Sequence, residues 1–153
     1  MMNQPASSIL LDESSPSVQA HLQIIQSVIG RMAGNSSSCK TWCITLVSAI
    51  LVVVADKAKP DYAYIALLPA LLFYALDIYY LALEKAFRNS YNTFVSKVHA
   101  SGISPQDLYI IQPSGKMLIN QLQAAGSFSV WGFYISLIGL IVASRYIVAN
   151  GAI

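Results

Sequence analysis

Two apolar runs joined by a short charged turn limit what this chain can fold into more than any other feature. The runs are residues 41–55 and 62–83, and the turn is Asp56-Lys57-Ala58-Lys59-Pro60-Asp61. As a helix, the 22 residues of the second run are about 33 Å long, enough to cross the ~30 Å hydrocarbon core of a bilayer. A third run, 127–149, has a similar length, and 56% of all residues are hydrophobic while only 10% are charged. We therefore predict an all-α integral membrane protein with three transmembrane helices and cytoplasmic amphipathic helices.

The first run is the shortest of the three. Its 15 residues reach only about 22 Å as a helix, so a re-entrant or interfacial helix is the alternative to a full span. Lys40 and Lys57 can extend from its two ends toward the bilayer surfaces, and the short turn ties it to a neighbour of full length. We therefore prefer a transmembrane helical hairpin over residues 36–83.

The positive residues predict an orientation. The hairpin turn has two, which Asp56 and Asp61 offset, whereas six lie before the first run or between the second and the third: Arg31, Lys40, Lys85, Arg88, Lys97 and Lys116. Loops rich in Lys and Arg stay in the cytoplasm. We expect the N-terminus and segment 84–126 inside, and the hairpin turn and the tail 150–153 outside.

Apolar residues repeat at helical spacing on the cytoplasmic side of the hairpin. Ser15-Pro16 is typical of a helix start and predicts an amphipathic helix over 16–35, which Gly34-Asn35 would end before a short hinge at 36–38. The second span is expected to continue as a helix to about residue 100. The two helices carry apolar stripes that could pack within one chain or between chains: Val18, Leu22, Ile25, Ile29 and Met32, and Phe87, Tyr91, Phe94 and Val98. The tail 1–15 is predicted to be disordered or free to bind a partner.

Small and polar residues mark candidate contacts inside the apolar runs. In the third run they recur every three or four positions, at Ser129, Gly132, Ser136, Gly139 and Ala143. Such small side chains let helix backbones approach closely in a membrane. A shorter polar face on the first run, at Thr41, Thr45 and Ser48, could bond a neighbouring helix or line water. Pro69 predicts a kink in the second run.

Asp77 is the charged residue that stands out within the second run. A carboxylate in hydrocarbon costs about 3 kcal/mol or more on insertion scales, so it should face protein or water. It could line a pore, or it could lie at the head-group level and pair with a neighbour such as Lys85. Arg145, near the end of the third run, is interpreted as an outer anchor.

The sequence contains little that indicates catalysis. Cys39 and Cys43 are one helical turn apart, and His21 and His99 lie on different cytoplasmic helices, which favours packing or hydrogen bonding over metal ligation. No recognisable catalytic set or phosphate-binding loop is present. We therefore expect no enzyme activity, no metal and no cofactor. The net charge of +2 is dispersed, so direct nucleic-acid binding is not expected either.

The order of parts resembles the SLATT family of small bacterial membrane proteins, with a cytoplasmic amphipathic helix, a short transmembrane hairpin and a long helix leaving the second span. The resemblance covers roughly residues 16–100 and is architectural. It is carried by stretches such as Gly30-Arg31-Met32-Ala33-Gly34-Asn35, the hairpin turn, and Leu76-Asp77-Ile78-Tyr79-Tyr80-Leu81-Ala82-Leu83-Glu84-Lys85. The third span departs from the simplest two-span plan of that family.

This resemblance implies an oligomeric effector that makes the bacterial inner membrane leaky during antiviral defence. It also implies a homo-oligomer in the lipid bilayer, with a signal nucleotide or a soluble defence protein acting at the cytoplasmic side. Three spans cannot enclose a channel alone, but a ring of several copies could. The alternative is a non-conducting membrane adaptor that recruits a soluble enzyme.

Overall fold

A computed structural model describes residues 11–151 of the chain, and these residues are predominantly helical. The α-helices are α1 (Pro16–Asp56), α2 (Leu67–His99), α3 (Met117–Ala125) and α4 (Phe128–Ala149), and short 3₁₀ helices occupy Pro60–Ala66 and Pro105–Asp107. Three helical stretches are long and apolar enough to cross a membrane: Pro16–Asp56, Pro60–His99 and Phe128–Ala149. The all-α prediction with three such helices is confirmed.

Helix α1 is uninterrupted, and the predicted hinge at 36–38 is wrong. The helix starts at Pro16 as expected but continues through Gly34 and Asn35 to Asp56. A glycine inside a helix costs only about 1 kcal/mol, which packing can outweigh. Here Ser36 and Cys39 are buried directly after the glycine, so a break would expose them. The first apolar run is therefore part of a 41-residue helix, about 60 Å long, rather than an isolated short segment.

Pro69 does not kink the middle of the second span. The chain leaves the hairpin turn as the 3₁₀ helix Pro60–Ala66, and α2 begins at Leu67. Pro69 is thus in the first turn of α2, where a backbone N–H has no partner within the α-helix and its loss costs little. Beyond it, α2 continues to His99, close to the predicted end.

The apolar stripes of the N-terminal part of α1 and the C-terminal part of α2 pack within one chain. Val18, Ile25 and Ile29 of α1 are buried, as are Phe94 and Val98 of α2. A cluster around Val18, Phe94 and Val98 also contacts Leu11, Leu22, Ile103 and Leu108. Segment 11–15, part of the tail expected to be disordered, is an ordered turn, in which Ser14 and Ser15 donate hydrogen bonds to the Asp12 carboxylate. Residues 1–10 lie outside the described part.

Helix α4 packs on the hairpin through one face. Val130, Tyr134, Leu137 and Ile141 are buried in a core that also contains Cys43 and Val47 of α1 and Ala70 of α2. Near the other end, Arg145 Nη2 lies 3.0 Å from Asp61 Oδ1 and its guanidinium lies over the Tyr64 ring. Arg145 therefore ties α4 to the turn between α1 and α2.

Candidate functional site

Asp77 lies at the centre of a buried polar cluster between α1 and α2. Its side chain has no solvent exposure, and Lys40 Nζ of α1 is 2.6 Å from Oδ2. Ser36 Oγ donates a hydrogen bond to Oδ1, and Lys40 Nζ is 3.4 Å from Ser36 Oγ. Oδ2 receives no well-aligned hydrogen bond, so its contact with Lys40 is an ion pair. Three side chains from two helices thus share one buried charge pair.

This cluster gives Asp77 a different partner and environment from those named in the sequence analysis. The carboxylate does not line an open face in this conformation, since it is fully buried. It does not pair with Lys85 either, because Lys85 Nζ donates to the backbone carbonyl of Gln123, 3.1 Å away. Glu84, the residue before Lys85, pairs with Arg88, whose Nε lies 2.8 Å from Glu84 Oε1.

The two cysteines lie on the same buried face of α1 as Ser36. Cys39 and Cys43 are both free thiols. Among residues 11–151, no group of three or more His, Cys, Asp or Glu side chains could hold a metal ion. The hydroxyl of Tyr134, which belongs to the same core as Cys43, has no hydrogen-bond partner in the described part of the chain.

The polar residues of the first run form a face directed away from the rest of the chain. Thr41, Thr45 and Ser48 are all exposed, while the neighbouring Cys43 and Val47 are buried. Thr45 Oγ1 donates to the carbonyl of Thr41, and Thr41 Oγ1 donates to that of Ser37. The exposed Gly34 and Ser37 continue this face toward the N-terminal end of α1. We call the residues Gly34, Ser37, Thr41, Thr45 and Ser48 the polar face of α1.

The small residues of α4 also face outward. Ser129, Ser136, Gly139 and Ala143 are exposed and Gly132 is half-buried. A Cβ built on Gly139 would meet nothing within 4 Å. The stripe therefore does not pack against α1 or α2 of the same chain. Sequence spacing identified the stripe, but it could not tell which helix face the hairpin would cover.

His21 is buried in the folded chain, a difference from His99 that the sequence pattern did not predict. The His21 ring is 1% exposed and packs 4.2 Å from the Phe94 ring. Its Nδ1 accepts a hydrogen bond of 2.8 Å from the backbone N–H of Tyr109, a residue with a φ of 65°. Burial lowers the pKa of His21. His99, in contrast, is exposed.

Next to His21 is an open cavity of about 220 Å³, lined in part by Ser90, Thr93, Lys97 and Asp107. The polar groups around it are largely engaged with each other. Lys97 Nζ is 3.0 Å from Asp107 Oδ1, and Ser90 Oγ donates to the carbonyl of Gln112. Hydrogen bonds from Ser104, together with Lys97, lower the pKa of Asp107.

No known protein family, curated protein or solved structure matches this chain. The fold and the clusters define an all-helical protein with three helices suited to a membrane. The Lys40–Asp77 ion pair joins α1 and α2. Outward-facing polar residues lie on α1, and outward-facing small residues lie on α4.

Proposed function

We propose that the chain is an oligomeric membrane effector that forms an ion-conducting pore, or otherwise disrupts the membrane, in response to a cytoplasmic signal. The polar face of α1 is the observation that carries this proposal. Its members Thr41, Thr45 and Ser48 are exposed in the single chain. Other exposed residues of the same apolar run, such as Ile44 and Val52, are large and apolar. Lipid does not require hydroxyl groups in such a run, whereas a water-filled lumen or a contact between copies does.

The small stripe of α4 supports assembly from several copies. It is directed away from α1 and α2 of its own chain, so a second copy could approach it closely. Oligomer contacts through α4 would leave the polar face of α1 free to surround a lumen. One chain with three spans has too few helices to do so alone.

A cytoplasmic signal could reach the spans because α1 and α2 are continuous. The seam of Val18, Ile25 and Phe94 belongs to the same rigid helices as the spans, and the Lys40–Asp77 pair joins those helices between seam and membrane core. Movement at the seam would therefore turn or tilt the polar face. The signal could be a nucleotide or a soluble defence protein, as the resemblance to SLATT proteins implies.

The positive-inside bias supports an N-terminus in the cytoplasm and a C-terminus outside. The inner membrane of a bacterium is implied by the resemblance to SLATT proteins. In that orientation the seam and the His21 cavity face the cytoplasm, where such a signal would be present.

Ion flux through liposomes that contain the purified protein tests the proposal. We expect the wild type to pass ions, and the Thr41→Val, Thr45→Val double variant to pass fewer, because it removes two hydroxyls at nearly constant volume. Ser136→Ala, which removes an exposed hydroxyl from α4 but keeps the side chain small, is the matched control and should conduct like the wild type.

Gly139→Leu tests assembly separately. The position is open within the chain, so the variant should fold, but the larger side chain should separate copies and lower both the oligomer size and the flux. Val142→Leu, also exposed on α4, should change neither. A wild type that never depolarises cells, even when proteins from neighbouring genes are present, would favour the non-conducting adaptor instead.

A further inference from the structure

Helix α3 exposes large apolar side chains and buries an asparagine amide. Its buried residues are Asn120 and Ala124. The side that faces away from the chain contains Leu118, Ile119 and Leu122, with Gln123 at its edge, and Leu118 and Leu122 are 75% and 74% exposed. Asn120 Nδ2 donates to the carbonyl of Ser114, so its amide is bonded inside the chain. The apolar side is left without a partner.

Both ends of α3 are attached to the same turn of α2. Just before the helix, the N–H and the hydroxyl of Ser114 donate to the carbonyl of Ala86. Near its end, the carbonyl of Gln123 accepts a hydrogen bond from Lys85. The nine residues of α3 cover about 13 Å. These hydrogen bonds at both of its ends fix α3 against this turn of α2.

The surroundings of α3 have the composition of a bilayer surface. Helix α4 begins three residues after α3 with Phe128, which is 75% exposed and packs edge-on against Trp131. Lys116 precedes α3 and is exposed, and Lys85 lies beside it. Aromatic side chains and lysines are enriched where hydrocarbon meets the head groups.

We propose that α3 lies in the plane of the membrane surface, with Leu118, Ile119 and Leu122 inserted into the lipid at the boundary between head groups and acyl chains. The apolar side of α3 is thus covered by lipid of the same bilayer that α4 enters. A second copy of the chain is the competing occupant. The inference rests on the membrane location in the proposed function, but not on ion conduction.

Single-cysteine variants with an environment-sensitive fluorophore test this placement in liposomes. The buried Cys39 and Cys43 are first replaced by alanine, and labels are attached through Leu118→Cys or Leu122→Cys. Asn92→Cys, at an exposed position of α2 outside the apolar runs, is the matched control. We expect blue-shifted emission at 118 and 122, strong quenching by brominated lipids and loss of quenching by aqueous iodide. The label at 92 should show the reverse.

Two results would overturn the inference. Iodide quenching at 118 and 122 equal to that at 92 would mean that the helix faces water. Protection from iodide without quenching by brominated lipid would mean that protein, such as a second copy, covers it. Circular dichroism of each variant verifies the fold, and ion flux is measured on the same vesicles. Lipid quenching at 118 and 122 without flux would support the placement of α3 while contradicting the pore.

Discussion

At the scale of single residues, the Lys40–Asp77 pair shows how the fold accommodates a buried carboxylate between two helices. The partners come from helices that are far apart in sequence, so their meeting depends on how α1 and α2 align. Sequence reasoning identified Asp77 as needing a partner but selected the nearby Lys85. The true partners, Ser36 and Lys40, are one helical turn apart on α1, and the predicted hinge at 36–38 concealed that they share a face.

Removing one partner of this pair should cost more than removing the other. Lys40→Met leaves a carboxylate with no exposure in a buried site, and we expect a loss of about 3 kcal/mol in the free energy of unfolding. Asp77→Asn leaves Lys40, whose side chain is 18% exposed and can extend toward water, so about 1 kcal/mol should be lost.

Unfolding by denaturant in detergent micelles measures both changes in the free energy of unfolding. The Lys40→Met, Asp77→Asn double variant should recover part of the loss of Lys40→Met. Equal costs for the two single variants would contradict this account.

His21 should make the packing of α1 against Phe94 and Tyr109 sensitive to acid. Burial lowers the pKa of His21 in the folded state below its ordinary value of about 6.5, and protonation at Nδ1 would remove the acceptor for the Tyr109 N–H. The unfolded state then binds the proton first, so stability is lost as the pH falls below about 6.5, until the lower folded-state pKa is passed.

The protection of the Tyr109 amide from hydrogen exchange, corrected for the intrinsic rate, should therefore fall in that pH range. His21→Gln should remove the pH dependence, whereas His99→Gln, at an exposed position, should keep it. A His99→Gln variant that also loses the dependence would show that His21 is not its source.

At the scale of elements, local signals predicted the start of α1 and the end of α2 correctly, but they also predicted a break in α1 that does not exist. Ser15-Pro16 marks the start of α1 because caps act within a few residues. The break predicted at Gly34 was wrong because the low helix propensity of glycine is a local effect. The burial of Ser36 and Cys39, which outweighs it, depends on contacts with α2 that are distant in sequence. The apolar sides of α3 and α4 could be listed from sequence, but the side that each packs inward could not.

The continuity of α1 can be tested at Gly34. A Cβ there meets nothing within 4 Å, so Gly34→Ala should raise the free energy of unfolding by about 0.5–1 kcal/mol through the helix propensity of alanine. Gly30→Ala is a matched variant with the same open space and should behave alike. A destabilised Gly34→Ala variant would indicate a bend or a close contact at this position that the continuous helix lacks.

At the scale of the whole molecule, orientation decides which surfaces meet the cytoplasm. We predict that the turn between α1 and α2 is outside and that the seam is inside, because the Lys and Arg residues concentrate on the seam side. In a background with Cys39 and Cys43 replaced by alanine, Lys59→Cys should react with a membrane-impermeant thiol reagent added to intact cells. Asn92→Cys should react only after the cells are opened. Both positions are exposed in the folded chain, so a difference in labelling reports the side of the membrane rather than burial. The opposite labelling pattern would mean that the protein has the reverse orientation in the membrane. The His21 cavity and α3 would then face away from any cytoplasmic signal.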